Sequence, residues 1–406
     1  MRSDIDIDHF IRTYVTKRSA SLLLPDLEKN HRELEQRLND KKVLVIGGAG
    51  TIGSFYIKAL LKYRITSLVV VDINENGLTE LVRDLRSSTV YNIPSEFITY
   101  PMNFGDRVFE KMFRSLPPFD IVANFAAHKH VRSEKDIFSV EAMIENNVLR
   151  ARRLLDLLLE YPPQHFFCVS TDKAANPVNI MGASKKLMEE LIMAYSGRLK
   201  ITTARFANVA FSNGSLPQGF IERLNKRQPW SCPLGIRRFF VSPQESGELC
   251  LIASVLGESG DIIFPKLDEN RDMISFEAIA LDLLKYLGLE ADVCSTEDDA
   301  REKALLLNEN SNTYPVYFFE SDTSGEKPYE EFYTDGEVID NERFVNLGVI
   351  KNSLKREIGE IDGIFRNLRE LFNSEKVSKA AVVEILKEWL PGFDHIEKGK
   401  GLDSKM

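Results

Sequence analysis

Asp172 and Lys173 are neighbours in the stretch "STDKAANPVNIMGASKK" (170–186), directly after the short apolar run "HFFCVS" (165–170). A carboxyl group and an amine side by side can give and take protons, and ligands of open α/β sheets sit at the carboxyl ends of strands. The plainer reading of the same two residues is an exposed loop pair. A second stretch with chemical potential is "GGAGTIG" (47–53), which follows "VLVI" (43–46) and opens the helical pattern "SFYIKALLKY". Gly47, Gly50 and Gly53 permit a sharp turn and a close backbone approach to a pyrophosphate, whose charge is favoured at a helix N-terminus. Thr51 and Ile52 lie inside that turn. Asp72 closes the next apolar run, 19 residues after Gly53. A carboxylate there accepts hydrogen bonds from an adenosine ribose and repels a 2′-phosphate, so NAD is expected rather than NADP.

The elements that must position these residues alternate in period. Short β-branched or aromatic runs stand at 43–46, 67–72, 97–100, 120–125, 165–170 and 201–206, with helical patterns near 76–86, 106–115, 138–161 and 181–196 between them. Such alternation predicts a doubly wound parallel sheet covered by helices on both faces. Residues 1–40 read as an amphipathic helical extension, broken at Pro25, that packs on the body or on a second subunit; a partner-binding arm is the alternative. Residues 41–215 form the expected dinucleotide-binding domain. Beyond about 215 the alternation fades into loops rich in Pro and Gly, a pattern expected of a smaller substrate lobe over 216–361. Helices and a charged tail are expected over 362–406.

Composition narrows the function classes. The chain has 406 residues, 43% of them apolar, enough for a large core, and a formal net charge of −9. No dense Lys/Arg run provides the basic face that a nucleic-acid binder needs. Cys168, Cys232, Cys250 and Cys294 are far apart without CxxC spacing, so neither a metal site nor a disulfide framework is expected. The acidic start "MRSDIDIDHFIRTYV" has no apolar core of a signal peptide, and no run is long and apolar enough to span a membrane. The expectation is a cytoplasmic protein with reduced thiols.

The glycine spacing is GxxGxxG, and here the sequence resembles the extended short-chain dehydrogenase/reductases, a Rossmann-like fold. "NFAAHKHV" (124–131) is similar to the family segment after the fourth strand, which implies that Ala126 and Ala127 line the cofactor. "NNV" (146–148) is similar to its helical Asn-Val, and Asn103 in "MNFGD" stands where members usually hold an acidic residue near the adenine. "STDKAANPVNIMGASKK", "RFANVAFSNGS" (205–215), "RRFFVS" (237–242) and "SGEKPYEEF" (324–332) resemble the nucleotide-sugar 4,6-dehydratases acting on UDP-N-acetylglucosamine. Many members carry membrane-spanning helices before this domain, and the chain resembles the soluble form. Its departures are Met181 for the usual tyrosine, Asn213 for an arginine and Arg150 for a glycine.

The resemblance implies NAD-dependent oxidation at C4, removal of the C5 proton with loss of the C6 hydroxyl, and return of the same hydride to C6. It implies Asp172 as the acid toward O6, Lys173 as the base toward C5, Thr171 as a hydroxyl toward O4, and Lys185 on the nicotinamide ribose. It also implies Arg238 as a clamp on the UDP diphosphate, Asn208 and Ser215 as nucleotide contacts, His130 on the substrate side and Glu326 on the uridine ribose. A homo-oligomer is the default for such proteins. Two other readings remain at this point: a UDP-sugar 4-epimerase, which needs only the C4 step, and an NAD(H)-binding regulatory or scaffold protein that lost catalysis with its tyrosine.

Overall fold

The computed structural model describes residues 5–130, 134–320, 331–351, 353 and 355–395. Fifteen strands are described: β1 (Lys42–Ile46), β2 (Ser67–Asp72), β3 (Glu96–Pro101), β4 (Ile121–Asn124), β5 (His165–Val169), β6 (Ile201–Ala204), β7 (Asn208–Val209), β8 (Trp230–Leu234), β9 (Arg237–Val241), β10 (Ile262–Pro265), β11 (Met273–Ser275), β12 (Glu290–Cys294), β13 (Thr313–Glu320), β14 (Ile339–Asp340) and β15 (Leu347–Ile350). The main sheet has nine strands in the order β14-β15-β10-β6-β5-β4-β1-β2-β3. β1 to β6 and β10 are parallel, and β15 runs antiparallel to both its neighbours. The chain reverses its direction of travel between β1 and β4, and the crevice outside that switch point is where α/β sheets take ligands.

Both faces of the sheet are buried, which is why its strands read as continuous apolar runs. Val43 and Val45 point to one face, against Tyr56, Ile57 and Leu60 and the helix Pro243–Leu256. Leu44 and Ile46 point to the other, against Leu154, Leu155, Leu187 and Leu191. Truncating Leu187 (0% exposed) or Leu249 (1%) to alanine removes about 2–5 kcal/mol, because such sites collapse only partly.

The expected alternation is present, with corrections. The boundary near 215 does not divide the sheet, since β10, β14 and β15 come from beyond it. Two small sheets, β11-β9-β7 and β12-β13-β8, accompany it. The helical pattern 138–161 is interrupted by a π-helical stretch, Glu145–Leu149. The helix expected to begin near 362 begins at Ile358 and runs to Phe372, and Lys379–Trp389 follows it; both pack on the Leu154 and Leu187 face. Pro25 starts the helix Leu24–Lys29 rather than breaking one, because a first-turn proline lacks only an N–H that has no partner there.

The N-terminal segment packs on the body. The helix Ile7–Phe10 runs into the π-helical turn Ile11–Val15, and Phe10, Ile11 and Val15 are buried with Phe211, Phe220 and Leu283. Arg18 then forks onto Glu245, with Nε–Oε1 and Nη2–Oε2 both 2.8 Å, and also reaches Asp272 at 3.2 Å. Leu34 and Leu38, from the helix His31–Leu38, join the Val43 face of the core. No helix among the described residues is long and apolar enough to cross a membrane.

Candidate active site

The glycine turn fills the crevice between β1 and β4 so tightly that side chains would not fit. Gly47 has φ +78°, and a Cβ on it would stand 2.6 Å from the Ala126 amide nitrogen. One on Gly53 would stand 2.3 Å from the Gly47 carbonyl oxygen. Gly50 is the extended N-cap of the helix Thr51–Leu60, and no side chain caps that terminus. Asp72, at the end of β2, accepts from the Ala49 amide at 3.0 Å and the Asn74 amide at 2.9 Å, so its carboxylate is fixed beside the turn. Asn124 accepts from the Ala126 amide at 3.0 Å and fixes the facing segment that carries Ala126 and Ala127. An open helix N-terminus, a close backbone crossing and a fixed carboxylate suit a dinucleotide with a free ribose. Asn103 is engaged in its own turn, accepting from the Gly105 amide at 2.8 Å, with the Arg150 side chain lying over Gly105.

Thr171, Asp172 and Lys173 stand at the carboxyl end of β5. After Val169 the chain stays extended through Thr171 (φ −151°, ψ 156°) and then turns in a 3-10 helix, Asp172–Ala174. The Asp172 amide donates to the Phe206 carbonyl beyond β6 at 3.1 Å, which pins the turn to the neighbouring strand. Three donors converge on Asp172 Oδ1: Thr171 Oγ1 at 2.7 Å, the Lys173 amide at 2.9 Å and Lys173 Nζ at 3.1 Å. The side chain of Asp172 is 3% exposed and that of Lys173 19%, so they form a recessed pair rather than an exposed loop.

The helix Ile180–Ala194 brings Met181 and Lys185 to the same cleft. Lys185 is buried and donates through Nζ to the Val169 carbonyl at 2.7 Å. Burial pushes its ammonium below the usual lysine range, opposed by nearby Cys168 and Glu189. Met181 is 2% exposed, and its amide donates to Glu134 Oε1 at 2.8 Å. Beneath this floor, Glu189 accepts from Ser170 Oγ at 2.8 Å and pairs with Arg205, whose other bonds reach Glu337 and the Phe332 carbonyl. Burial alone would raise the Glu189 carboxyl, but Arg205 and Lys186 hold it below the usual range.

The facing wall comes from the loop after β7 and the segment after β4. Asn208, Gly214, Ser215 and His130 line the cleft of about 230 Å³ together with Thr171, Asp172, Lys173, Met181 and Lys185. Asn208 Nδ2 is buried with no hydrogen-bond partner among the described residues. Ser215 caps the helix Leu216–Asn225, accepting from the Gln218 amide at 3.4 Å. His130 lies against Gly214, where a Cβ would meet its ring at 2.9 Å. Arg238, on β9 two residues before Phe240, which pairs with Asn208 of β7, is buried with Nη1 donating to the Arg237 carbonyl at 2.9 Å. Glu326 lies outside the described residues. No cluster of metal-binding side chains occurs among the described residues.

Two residues carry more than their sequence context suggested. Asn147 of "NNV" is 1% exposed. It accepts from the His128 amide at 2.8 Å and donates to the His128 carbonyl at 2.9 Å and to Ser184 Oγ at 3.1 Å. It therefore ties the segment after β4 to the helix bearing Lys185. Lys129 also lines the cleft, and desolvation lowers its ammonium below the usual range. Its position inside "NFAAHKHV" was the available signal.

Sheet order, the glycine turn and the Thr171–Lys173 cluster after β5 are those of an extended short-chain dehydrogenase/reductase. More narrowly, the chain belongs to the polysaccharide biosynthesis protein family, whose model matches residues 43–352. It is 28% identical to an uncharacterized membrane protein of Methanocaldococcus jannaschii, over 88% of this chain and 98% of that one. It is 26% identical to the UDP-N-acetylglucosamine 4,6-dehydratase (inverting) of Campylobacter jejuni, over 68% of this chain and 83% of that one. Identity to the capsular polysaccharide biosynthesis protein CapD of Staphylococcus aureus is 25% over 86% of this chain, which spans only 54% of CapD. Among solved structures, Pen of Bacillus thuringiensis superposes with a TM-score of 0.63 at 21% identity, covering 79% of this chain and 90% of that one.

Proposed function

We propose that the protein is a nucleotide-sugar 4,6-dehydratase that holds NAD and converts UDP-N-acetylglucosamine, or a close UDP-N-acetylhexosamine, to its 4-keto-6-deoxy derivative. The observation that carries this reading is the recessed Thr171–Asp172–Lys173 cluster, with three donors on one carboxylate oxygen, in a cleft where position 181 offers only a thioether. Gly47, Gly50, Thr51, Ile52, Gly53, Asp72, Ala126, Ala127 and Lys185 would hold the cofactor, and Asp72 sets the preference for NAD. NAD, when bound, supplies hydride acceptance from C4 and return to C6, so no second substrate is needed.

The chain's own residues manage the protons. Thr171 Oγ1 faces the cleft and already donates to Asp172 Oδ1, so a proton leaving O4 has a path through the hydroxyl to the carboxylate. Asp172, once protonated, is the acid for the departing C6 hydroxyl, and Lys173 takes the C5 proton. Burial of Asp172 excludes water that would otherwise compete for these transfers. Asn208 and Ser215 meet the nucleotide, with the helix Leu216–Asn225 presenting its N-terminus to negative charge.

An epimerase reading has support in the UDP-glucose 4-epimerase of Rickettsia felis, 30% identical over 56% of this chain and 66% of that one. Met181 counts against it, because C4 chemistry alone leaves Lys173 without a task and offers no phenol near O4. Incubating the protein with UDP-N-acetylglucosamine and weighing the product decides. Loss of one water supports the dehydratase, an isobaric epimer supports the alternative, and unchanged substrate refutes both.

A further inference from the structure

The N-terminal segment reaches the cleft through one aromatic contact. Phe211 lies in the loop that brings Asn208, Gly214 and Ser215 to the cleft wall. Its backbone is left-handed, φ +52°, a conformation that bulky residues adopt only when their surroundings impose it. Its ring packs on Phe10, the two rings meeting edge-on at 5.7 Å and 87°. Phe10 is itself fully buried, stacked on Tyr14 at 5.0 Å and set against Tyr286 at 5.4 Å. Beyond Phe211 the same loop docks on the glycine turn, the Asn213 amide donating to Thr51 Oγ1 at 3.0 Å. Ile7 and Ile11 share one cavity with Phe211, Asn213, Ala49 and Thr51. The loop is thus held at its start by the β7–β9 pairing, at its end by the Ser215-capped helix, and in its middle by Phe10.

We propose that the N-terminal arm is a working part of the active site. Phe10 is a positioning residue: it holds Phe211 in its left-handed conformation, and so fixes the loop through Asn213 and the N-terminus of the helix Leu216–Asn225 where a nucleoside diphosphate binds. The ligand in this statement rests on the nucleotide-sugar reading above; the coupling between arm and loop does not. Sites built on loops need such support, because an unsupported loop samples geometries that do not bind.

The test compares Phe10→Ala with Leu34→Ala in the full chain. Leu34 is equally buried but packs on the sheet side, away from Phe211, so it controls for lost stability. UDP affinity is measured by calorimetry, and amide hydrogen exchange is followed at Asn213 and Ser215. The expected result is a loss of UDP affinity of about five- to tenfold in Phe10→Ala, the size a lost aromatic pair produces. Faster exchange across the loop should accompany it, with neither change in Leu34→Ala. If Phe10→Ala does not fold, Phe10→Leu keeps the burial, removes the ring edge and should show the same pattern more weakly. A folded Phe10 variant with wild-type exchange in this loop overturns the inference, as do equal effects in the Leu34 control. If the wild type does not bind UDP, the nucleotide-sugar reading fails, and the exchange comparison still decides the arm's role.

Discussion

Replacing Asp172 by asparagine removes a charge and a proton carrier while leaving the local shape nearly intact. The amide oxygen can still accept from Thr171 Oγ1, the Lys173 amide and Lys173 Nζ, now at 2.7, 2.9 and 3.1 Å from Oδ1. The turn stays pinned through the Asp172 amide and the Phe206 carbonyl. The variant should therefore fold and bind sugar nucleotide, losing only proton transfer. One positioned acid or base contributes about 10²–10⁴ in rate, or about 3–5 kcal/mol of barrier. Because one carboxylate serves both O4 and O6 in this scheme, Asp172→Asn should lose C4 oxidation together with water loss, rather than stalling between them. Stopped-flow nicotinamide absorbance reads the first step, and product mass the second. A variant with kcat within about tenfold of wild type, well short of the expected loss, would refute the assignment. So would one that reduces bound NAD normally on adding substrate.

Lys173→Met should show the opposite split: nicotinamide reduction persists, while elimination and deuterium exchange at C5 stop, and wild-type exchange would contradict the C5 role. Arg205→Met should cost about 3–5 kcal/mol in urea unfolding, because it leaves the buried Glu189 carboxylate without its partner, and a loss under about 1 kcal/mol would contradict this. Burial, with Lys200 and Arg37 nearby, lowers the His165 imidazole to about 3. The unfolded chain, titrating near pH 6.5, then binds one more proton than the native protein between those values, so stability falls as pH falls through that window. Between pH 7 and 5 the wild type should lose about 2 kcal/mol more than His165→Gln, and parallel curves would contradict it.

Much of the scaffold was legible because its signals are local. "VLVI", the glycine triplet and Asp72 lie within one βαβ unit, and the steric demand on Gly53 comes from the turn itself, through the Gly47 carbonyl oxygen, whereas that on Gly47 comes from the distant Ala126 segment. Thr171, Asp172, Lys173 and Lys185 were likewise legible, since a strand end and the next helix fix them. Contacts between distant segments were not. Arg205 and Glu337 are 132 positions apart, and nothing local marks either as half of a buried pair. Pro25 reads as a break because proline stops a helix interior, whereas its first-turn position favours a start. The left-handed backbone of Phe211 has no local sign in "ANVAFSNGS".

The central claim is that hydride leaves C4 and comes back to C6 of the same sugar while one water is lost. UDP-N-acetylglucosamine deuterated at C4 tests it most directly, with the product examined by mass and by NMR. The account predicts a 4-keto sugar lighter by one water whose deuterium sits in the new C6 methyl group. Deuterium returned to C4 of an epimer, or left at C4 of unreacted substrate, would contradict it.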